Sequence, residues 1–189
     1  NKQIVKIQTN SRIYSLEIPL IGYFQVKNLL MAILAASSCG LNKNKIFYQL
    51  NKIKPVPGRL ECVANLKNNS NIIVDFAHTP DALEQSLIAL KKQFRKDIII
   101  VFGCGGERDK KKRIRMGKIA KKYCRKIFVT DDNPRNENPK KIRDEIKKNI
   151  SKFKLFEILI LLGYKIILGS GLHHIKLSSD SNHGKIPFL

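Results

Sequence analysis

With 189 residues, 43% of them hydrophobic, the chain has apolar material for one packed domain or one and a fraction, which excludes a disordered tail or linker. Its 36 basic residues against 15 acidic ones leave a formal net charge of +21, but the lysines are spread along nearly every predicted helix, so solvated helix faces, a nucleic-acid surface and attraction for nucleotide phosphates all fit that charge. Cys39, Cys62, Cys104 and Cys124 form no C-x-x-C pair, which argues against a zinc site or a disulfide scaffold and for a reducing cytoplasm.

The chain begins at Asn1 with neither an initiator methionine nor a basic-then-apolar leader, contains no uninterrupted apolar span of membrane length, and reads as a piece of a longer chain. Residues 4–9 and 12–18 alternate apolar and polar positions around Asn10-Ser11, which predicts a hairpin with one buried face. Residues 29–39 are rich in Leu, Ala and Met, almost uncharged and closed by Gly40; they predict a buried helix with a glycine C-cap. A second helix follows Asn42, with Ile46, Leu50 and Ile53 on one face. Lys54-Pro55-Val56-Pro57-Gly58 then interrupts regular structure and is the expected domain boundary.

Beyond the boundary, residues 59–66 and 72–76 predict strands joined by the polar turn 67–71. Thr79-Pro80-Asp81 is a helix start, with a capping hydroxyl, a proline at the first helical position and an acid in the first turn. Leu83, Leu87, Leu90 and Phe94 form the core stripe of that helix. The apolar run 98–102, the glycine turn Gly103-Cys104-Gly105-Gly106-Glu107-Arg108-Asp109, a basic helical segment and the strand 127–130, opening onto Asp131-Asp132-Asn133-Pro134-Arg135, read as one strand–helix–strand unit. Asn138-Pro139 starts a further helix with Ile142, Ile146 and Ile150 on its buried face. Strands separated by helices argue for an α/β fold, a parallel sheet with helices on both sides. After Lys152 the text changes character, and one strand is expected around residues 165–168.

Ligands in open α/β sheets sit at the carboxyl ends of strands, so the glycine turn and the Asp131–Arg135 segment are candidates for one crevice. Arg108 and Arg135 with Asn133 and the paired aspartates suit a small zwitterion, because carboxylates take guanidinium forks and an ammonium group takes carboxylate or amide oxygen. The glycine turn is a poor dinucleotide fingerprint, since Arg108 stands where a third glycine is needed, but it lets backbone amides approach an anion. Asp75-Phe76-Ala77-His78 puts an acid and an imidazole at a strand end; alone, these read equally as a helix cap and a surface histidine. His173, His174 and His183 lack any spacing that supports metal binding.

Four segments, taken in order, carry a resemblance: Pro57-Gly58-Arg59-Leu60-Glu61, Asp75-Phe76-Ala77-His78-Thr79-Pro80-Asp81-Ala82-Leu83, Phe102-Gly103-Cys104-Gly105-Gly106-Glu107-Arg108-Asp109-Lys110, and Thr130-Asp131-Asp132-Asn133-Pro134-Arg135. Together they resemble the ATP-dependent Mur ligases of peptidoglycan biosynthesis, in the branch that adds meso-2,6-diaminopimelate to UDP-N-acetylmuramoyl-L-alanyl-D-glutamate. The resemblance covers about residues 19–150 and implies the tail of a central ATPase domain over residues 1–56. Residues 57–189 would be a Rossmann-like Mur ligase C-terminal domain, atypical after about residue 150. By position, Asn28 resembles the family's adenine contact, Arg59 its phosphate contact and Asp75 its ribose-binding acid, with His78 beside it as part of the ATP site. Arg108, Asp132, Asn133, Pro134 and Arg135 resemble the diaminopimelate pocket, in which an arginine answers the distal carboxylate that lysine lacks.

The family phosphorylates the D-glutamyl carboxylate with ATP and Mg²⁺, and the acceptor amine then attacks the acyl phosphate. Its phosphate loop, Mg²⁺ ligands and modified lysine lie upstream of the matching stretch, so this chain alone is expected to be inactive, with no catalytic residue of its own, no metal ligand, no nucleic-acid or membrane partner, and a monomeric state. Near the end, Leu168-Gly169-Ser170-Gly171-Leu172-His173 is a shadow of the family's Ala-Gly-Lys-Gly-His-Glu, and a frameshift after about Ile150 would account for the altered text. The folylpolyglutamate synthetases share Gly58-Arg59 and the Asp75–Pro80 segment but not Asp132–Arg135, and a ligase of that kind is the alternative alongside a basic nucleic-acid-binding module.

Overall fold

The computed structural model describes residues 2–9, 12–67 and 70–150, together with the backbone of 155–158 and 165–169. Strands β1 (Gln3–Gln8) and β2 (Ile13–Ile18) form the expected antiparallel hairpin, with Gln3 opposite Ile18 and Gln8 opposite Ile13. Helix α1 (Tyr23–Ser38) starts six residues before the expected Leu29, because Gly22, at φ +88°, makes the turn that launches it. Its C-terminus is a Schellman cap: the Leu41 amide donates to Ala36 O (3.1 Å) and the Gly40 amide to Ser37 O (3.0 Å), with Gly40 in the left-handed region that a side chain disfavours. Helix α2 (Lys43–Leu50) is capped by Asn42, whose Oδ1 accepts from the Asn44 amide at 2.9 Å.

Leu16, Ile18, Leu20, Ile33, Phe47 and Leu50 make the core of this first region, and the Tyr14 and Phe47 rings stack at 3.7 Å. The expectation of a buried α1 does not hold. Only Gln25 and Ile33 of this helix are buried, while Leu30, Met31 and Leu34 stand exposed, Met31 at 67%. An uncharged Leu/Ala/Met helix has apolar residues all round, but β1, β2 and α2 cover only one side of it.

The second region is a six-stranded sheet in the order β3–β4–β8–β5–β6–β7. Its strands are β3 (Glu61–Asn65), β4 (Asn71–Asp75), β5 (Ile98–Phe102), β6 (Lys126–Thr130), β7 (Leu155–Ile158) and β8 (Lys165–Gly169), with α3 (Pro80–Phe94), α4 (Lys111–Tyr123) and α5 (Pro139–Lys147) between them. The strand expected around residues 165–168 is β8. It inserts antiparallel between β4 and β5, and β3 is antiparallel to β4, so the sheet is mixed where a parallel one was expected. Four strands, β4 to β7, nonetheless point one way, because β5, β6 and β7 are parallel neighbours and β4 relates to β5 through the reversed β8.

Helices on both faces were also expected; the described helices instead share one face. Each crossover from β4 to β7 steps in the same direction across the sheet, and crossovers of one hand then fall on one side. Leu83, Leu87 and Leu90 of α3, Met116 and Ala120 of α4, and Ile142 and Ile146 of α5 pack on Ile73, Ile98, Ile100, Phe102, Ile127 and Val129 of the sheet. Ile99 and Val101 line the opposite face with Ile72 and Phe128. Thr79 caps α3 by accepting from the Ala82 amide at 3.3 Å, with Pro80 following, and Asn138 caps α5 through the Lys140 amide at 2.9 Å. At Gly117 a β-carbon would lie 2.2 Å from Ile146 O, which is what lets α4 and α5 approach so closely.

The two regions meet at the start of α1. Ile21 and Phe24 join the core of the second region, Gln25 Nε2 donates to Arg59 O at 2.9 Å, and the Gly22 amide donates to Gln93 Oε1 at 3.2 Å.

Candidate functional site

Strands β4, β5 and β6 end at Asp75, Phe102 and Thr130 on one edge of the sheet, and the segments that follow them carry the residues singled out in the sequence. The glycine turn lies directly on the loop after β6. A β-carbon at Gly103 would meet Thr130 O at 2.5 Å, and one at Gly106 would meet Pro134 O at 1.9 Å. Here glycine is a packing requirement, since no larger residue permits that approach. The Gly106 amide donates to Asn133 O at 2.8 Å, and Asn136 Nδ2 donates to Glu107 Oε1 at 2.7 Å. The two segments are thus bonded into one unit at neighbouring strand ends.

Within the loop after β6, Asp132 Oδ1 accepts from the Asn133 amide at 2.8 Å, and Asn133 Oδ1 accepts from the Arg135 amide at 3.2 Å. These short polar side chains shape the turn that holds Arg135 at φ +51°. Arg108 and Arg135 are exposed, and among the described residues neither forms an ion pair. Pro134 is half-buried, and its carbonyl accepts from the Glu137 amide at 3.0 Å. Asp131, by contrast, is engaged by Arg143 of α5.

A buried ion pair that the sequence reading overlooked holds this unit together. Arg113 of α4 is 0% exposed, and its Nη1 and Nη2 fork onto Glu137 Oε2 and Oε1 at 3.0 and 2.9 Å. Nη1 also donates to Glu145 Oε2 at 2.8 Å, and Nη2 to Gly105 O at 3.3 Å. Glu137 accepts in addition from the Glu107 amide at 2.5 Å. The Arg113 guanidinium, and next the Glu107 amide, hold the Glu137 carboxyl down at about 2, while Glu137 foremost raises Arg113 further above its already high value. The signal was present in the sequence. Arg113, Met116, Gly117 and Ala120 fall at i, i+3, i+4 and i+7, the buried stripe of α4, but Arg113 was masked by the lysines beside it.

The four residues assigned to a nucleotide are placed unequally. Asn28 is exposed on α1, one turn beyond Gln25, which is bonded to Arg59 O, so it faces the Arg59 side of the helix. Arg59 is exposed, with its guanidinium over the Phe76 ring at 5.6 Å. Gly58 accommodates that ring, since a β-carbon there would lie 2.1 Å from it, and the Phe76 amide donates to Gly58 O at 2.9 Å. His78 is exposed, its Nδ1 at 3.1 Å from Phe76 O, which leaves Nε2 outward. Lys112 Nζ donates to His78 O at 3.2 Å and ties this loop to α4. Asp75 is different: it is 5% exposed, and both of its oxygens are used, Oδ2 by Ser86 Oγ at 2.6 Å and Oδ1 by the Leu60 amide at 3.3 Å.

The profile of the family described as Mur ligase, glutamate ligase domain, matches residues 58–162, more than half of the chain. The chain belongs to the Mur ligase family. It is 46% identical over 82% of its length to the UDP-N-acetylmuramoyl-L-alanyl-D-glutamate–2,6-diaminopimelate ligase of Rickettsia montanensis, of which it covers 32%. A solved structure of an enzyme of that name is 33% identical, with a TM-score of 0.53, over 82% of this chain and 32% of that one. A Mycobacterium tuberculosis folylpolyglutamate synthase matches with a TM-score of 0.65 at 18% identity, over 84% of this chain and 37% of that one, a likeness of fold alone. The chain thus spans about a third of the length of the curated relatives it matches.

In this Mur ligase chain the matched stretch opens at Gly58, where the Phe76 ring and the Arg59 turn meet. Two exposed guanidinium groups on joined loops, with carboxylate and amide oxygens beside them, can take a small molecule bearing separated carboxylates and an ammonium group. Among the described residues no group of three or more His, Cys, Asp or Glu is placed to hold a metal ion, and no helix is long and apolar enough to cross a membrane. The motif from Ser170 onward and His173, His174 and His183 lie outside the described residues.

Proposed function

We propose that the chain carries the acceptor-recognition part of a diaminopimelate-adding Mur ligase acting on UDP-N-acetylmuramoyl-L-alanyl-D-glutamate in the cytoplasm. One observation carries the reading: Arg108 and Arg135 project from two loops that Gly106 and Asn133 join at 2.8 Å, and neither has an ion-pair partner among the described residues. An acceptor with a distal carboxylate gives a guanidinium a bidentate partner, whereas lysine at the same place brings a like charge. On this reading Arg108, Asp132, Asn133, Pro134 and Arg135 form the diaminopimelate pocket. Asn133 and Asp132 act partly through the turn they stabilise and partly through their remaining lone pairs.

ATP fits the exposed Asn28 and Arg59 and the outward face of His78; bound there, it supplies the phosphoryl group that activates the D-glutamyl carboxylate. Asp75 is 5% exposed and accepts from Ser86 and the Leu60 amide, so it positions the Leu60 turn and α3 behind the nucleotide, and each oxygen keeps a lone pair for the ribose. Mg²⁺ finds no ligand set among the described residues and belongs with the phosphate-binding part of the enzyme. Residues 1–56 form the tail of the ATPase domain and residues 57–189 the amino-acid-binding domain, and the chain alone is inactive.

A chimera tests this reading. Residues 1–150 replace the matching third of the Rickettsia montanensis relative, and ligation is followed with diaminopimelate and with lysine. Turnover with diaminopimelate in preference to lysine is the expected result. Preference for lysine in a folded chimera overturns the reading.

A further inference from the structure

Arg113 and Glu137 sit behind the candidate pocket without lining it. Arg113 enters from α4, and its guanidinium reaches the carbonyl of Gly105 in the glycine turn and the carboxylate of Glu137 just past the β6 loop. Glu137 in turn accepts from the Glu107 amide, next to Arg108. One carboxylate therefore spans the two segments that carry Arg108 and Arg135. As a stabilising device this is a weak choice: an ion pair that buries the whole guanidinium and most of the carboxylate returns little net stability, and Arg113 Nε is buried with no hydrogen-bond partner, a penalty by itself. What the arrangement does supply is a fixed geometry, with a bidentate pair of bonds onto Glu137 and a further contact onto the Gly105 backbone.

We infer that Arg113 and Glu137 are positioning residues for acceptor selection: they fix the spacing of Arg108 and Arg135, and so determine whether an acceptor with two carboxylates is preferred to one with a single carboxylate. The inference rests on the diaminopimelate reading of the pocket. Glu145 supplies an internal control, because it shares the same guanidinium at 2.8 Å but lies on α5 and, among the described residues, forms no hydrogen bond to either loop. A purely structural role lets loss of either glutamate's charge alter stability without altering the acceptor ratio; a positioning role makes only Glu137 matter to selection.

The test uses the 189-residue chain in isotope-labelled form, with titration of meso-diaminopimelate and of lysine followed by amide shifts, and with hydrogen exchange of the Gly106 and Glu107 amides measured without ligand. Glu137→Gln should lower the ratio of diaminopimelate to lysine affinity by about tenfold, the scale of one charge-assisted contact, and should speed exchange at Glu107. Glu145→Gln should leave both close to the parent chain. Equal effects of the two variants overturn the inference. If Glu137→Gln does not fold, Glu137→Asp decides, because it keeps the charge beside Arg113 and shortens the reach to the Glu107 amide: a lowered ratio supports the positioning role and an unchanged ratio overturns it. If Arg135→Ala leaves diaminopimelate binding unaltered, or the parent chain binds neither acceptor, the pocket reading fails. In that event the exchange comparison alone judges the clamp, faster exchange in Glu137→Gln only supporting it and equal exchange overturning it.

Discussion

Gly106→Ala probes the joint between the two loops in the simplest way, by adding one methyl group. The new β-carbon would sit 1.9 Å from Pro134 O and 2.6 Å from Pro134 C, whereas carbon and oxygen make contact at about 3.3 Å. The loops must part by about 1.4 Å, enough to take the 2.8 Å bond from the Gly106 amide to Asn133 O outside ordinary hydrogen-bond range. Overpacking of this kind costs about 1–3 kcal/mol, and the lost bond adds about 1 kcal/mol. Gly105→Ala is the matched control. Its β-carbon would meet Asn133 O at 3.5 Å, ordinary contact, and its φ is outside the left-handed region, so the reduced freedom of the unfolded chain favours it by about 0.4–1 kcal/mol. Urea denaturation of the two variants should therefore differ by about 2–5 kcal/mol at unchanged m-value. Equal midpoints would mean that the glycine turn does not rest on the Asp131–Arg135 segment, and the single-site reading would lose its basis.

Three further outcomes follow from the structure. Asp75→Asn removes the charge that accepts from Ser86 and the Leu60 amide and should lower stability by about 1.5–3 kcal/mol; unaltered stability with impaired nucleotide binding would show instead that Asp75 is a ligand contact. Glu137 is held at about 2 by Arg113 and the Glu107 amide, below the usual glutamate range. Its contribution is complete above that range and fades as pH falls toward 2, so the urea midpoint of the parent chain should drop over this interval and that of Glu137→Gln should drop less. Met31→Lys, on the exposed side of α1, should change stability by under about 0.5 kcal/mol, and a larger loss, or a concentration-dependent midpoint, would mean that another surface covers that helix in solution.

The parts of the fold that local chemistry dictates were legible in the sequence. Thr79-Pro80, Asn138-Pro139 and Gly40 mark helix ends through backbone groups that cap or turn within a few residues, and each stands where the residues indicate. Nonlocal placement was not legible. Nothing in residues 165–169 shows that they pair with both β4 and β5, because a short apolar strand carries no label for its neighbours. The exposed side of α1 was misread because apolar composition on its own does not say which elements cover a helix. In the site, the meeting of the glycine turn and Asp131–Arg135 followed from the rule that loops after parallel strands share an edge. The full burial of Arg113 was missed because a charge among lysines was taken as surface, although helical spacing placed it with Met116, Gly117 and Ala120.

The central claim, that the two joined loops select an acceptor with a distal carboxylate, is tested most directly by Arg135→Ala in the active chimera. A lost bidentate contact of about 1.5–3 kcal/mol should lower kcat/KM for diaminopimelate by about 10–150-fold and leave that for lysine nearly unchanged, with the KM for ATP unaffected. An equal fall for both acceptors would make Arg135 a structural residue of the turn after β6, and the assignment of Asp132–Arg135 as the selecting pocket would be contradicted.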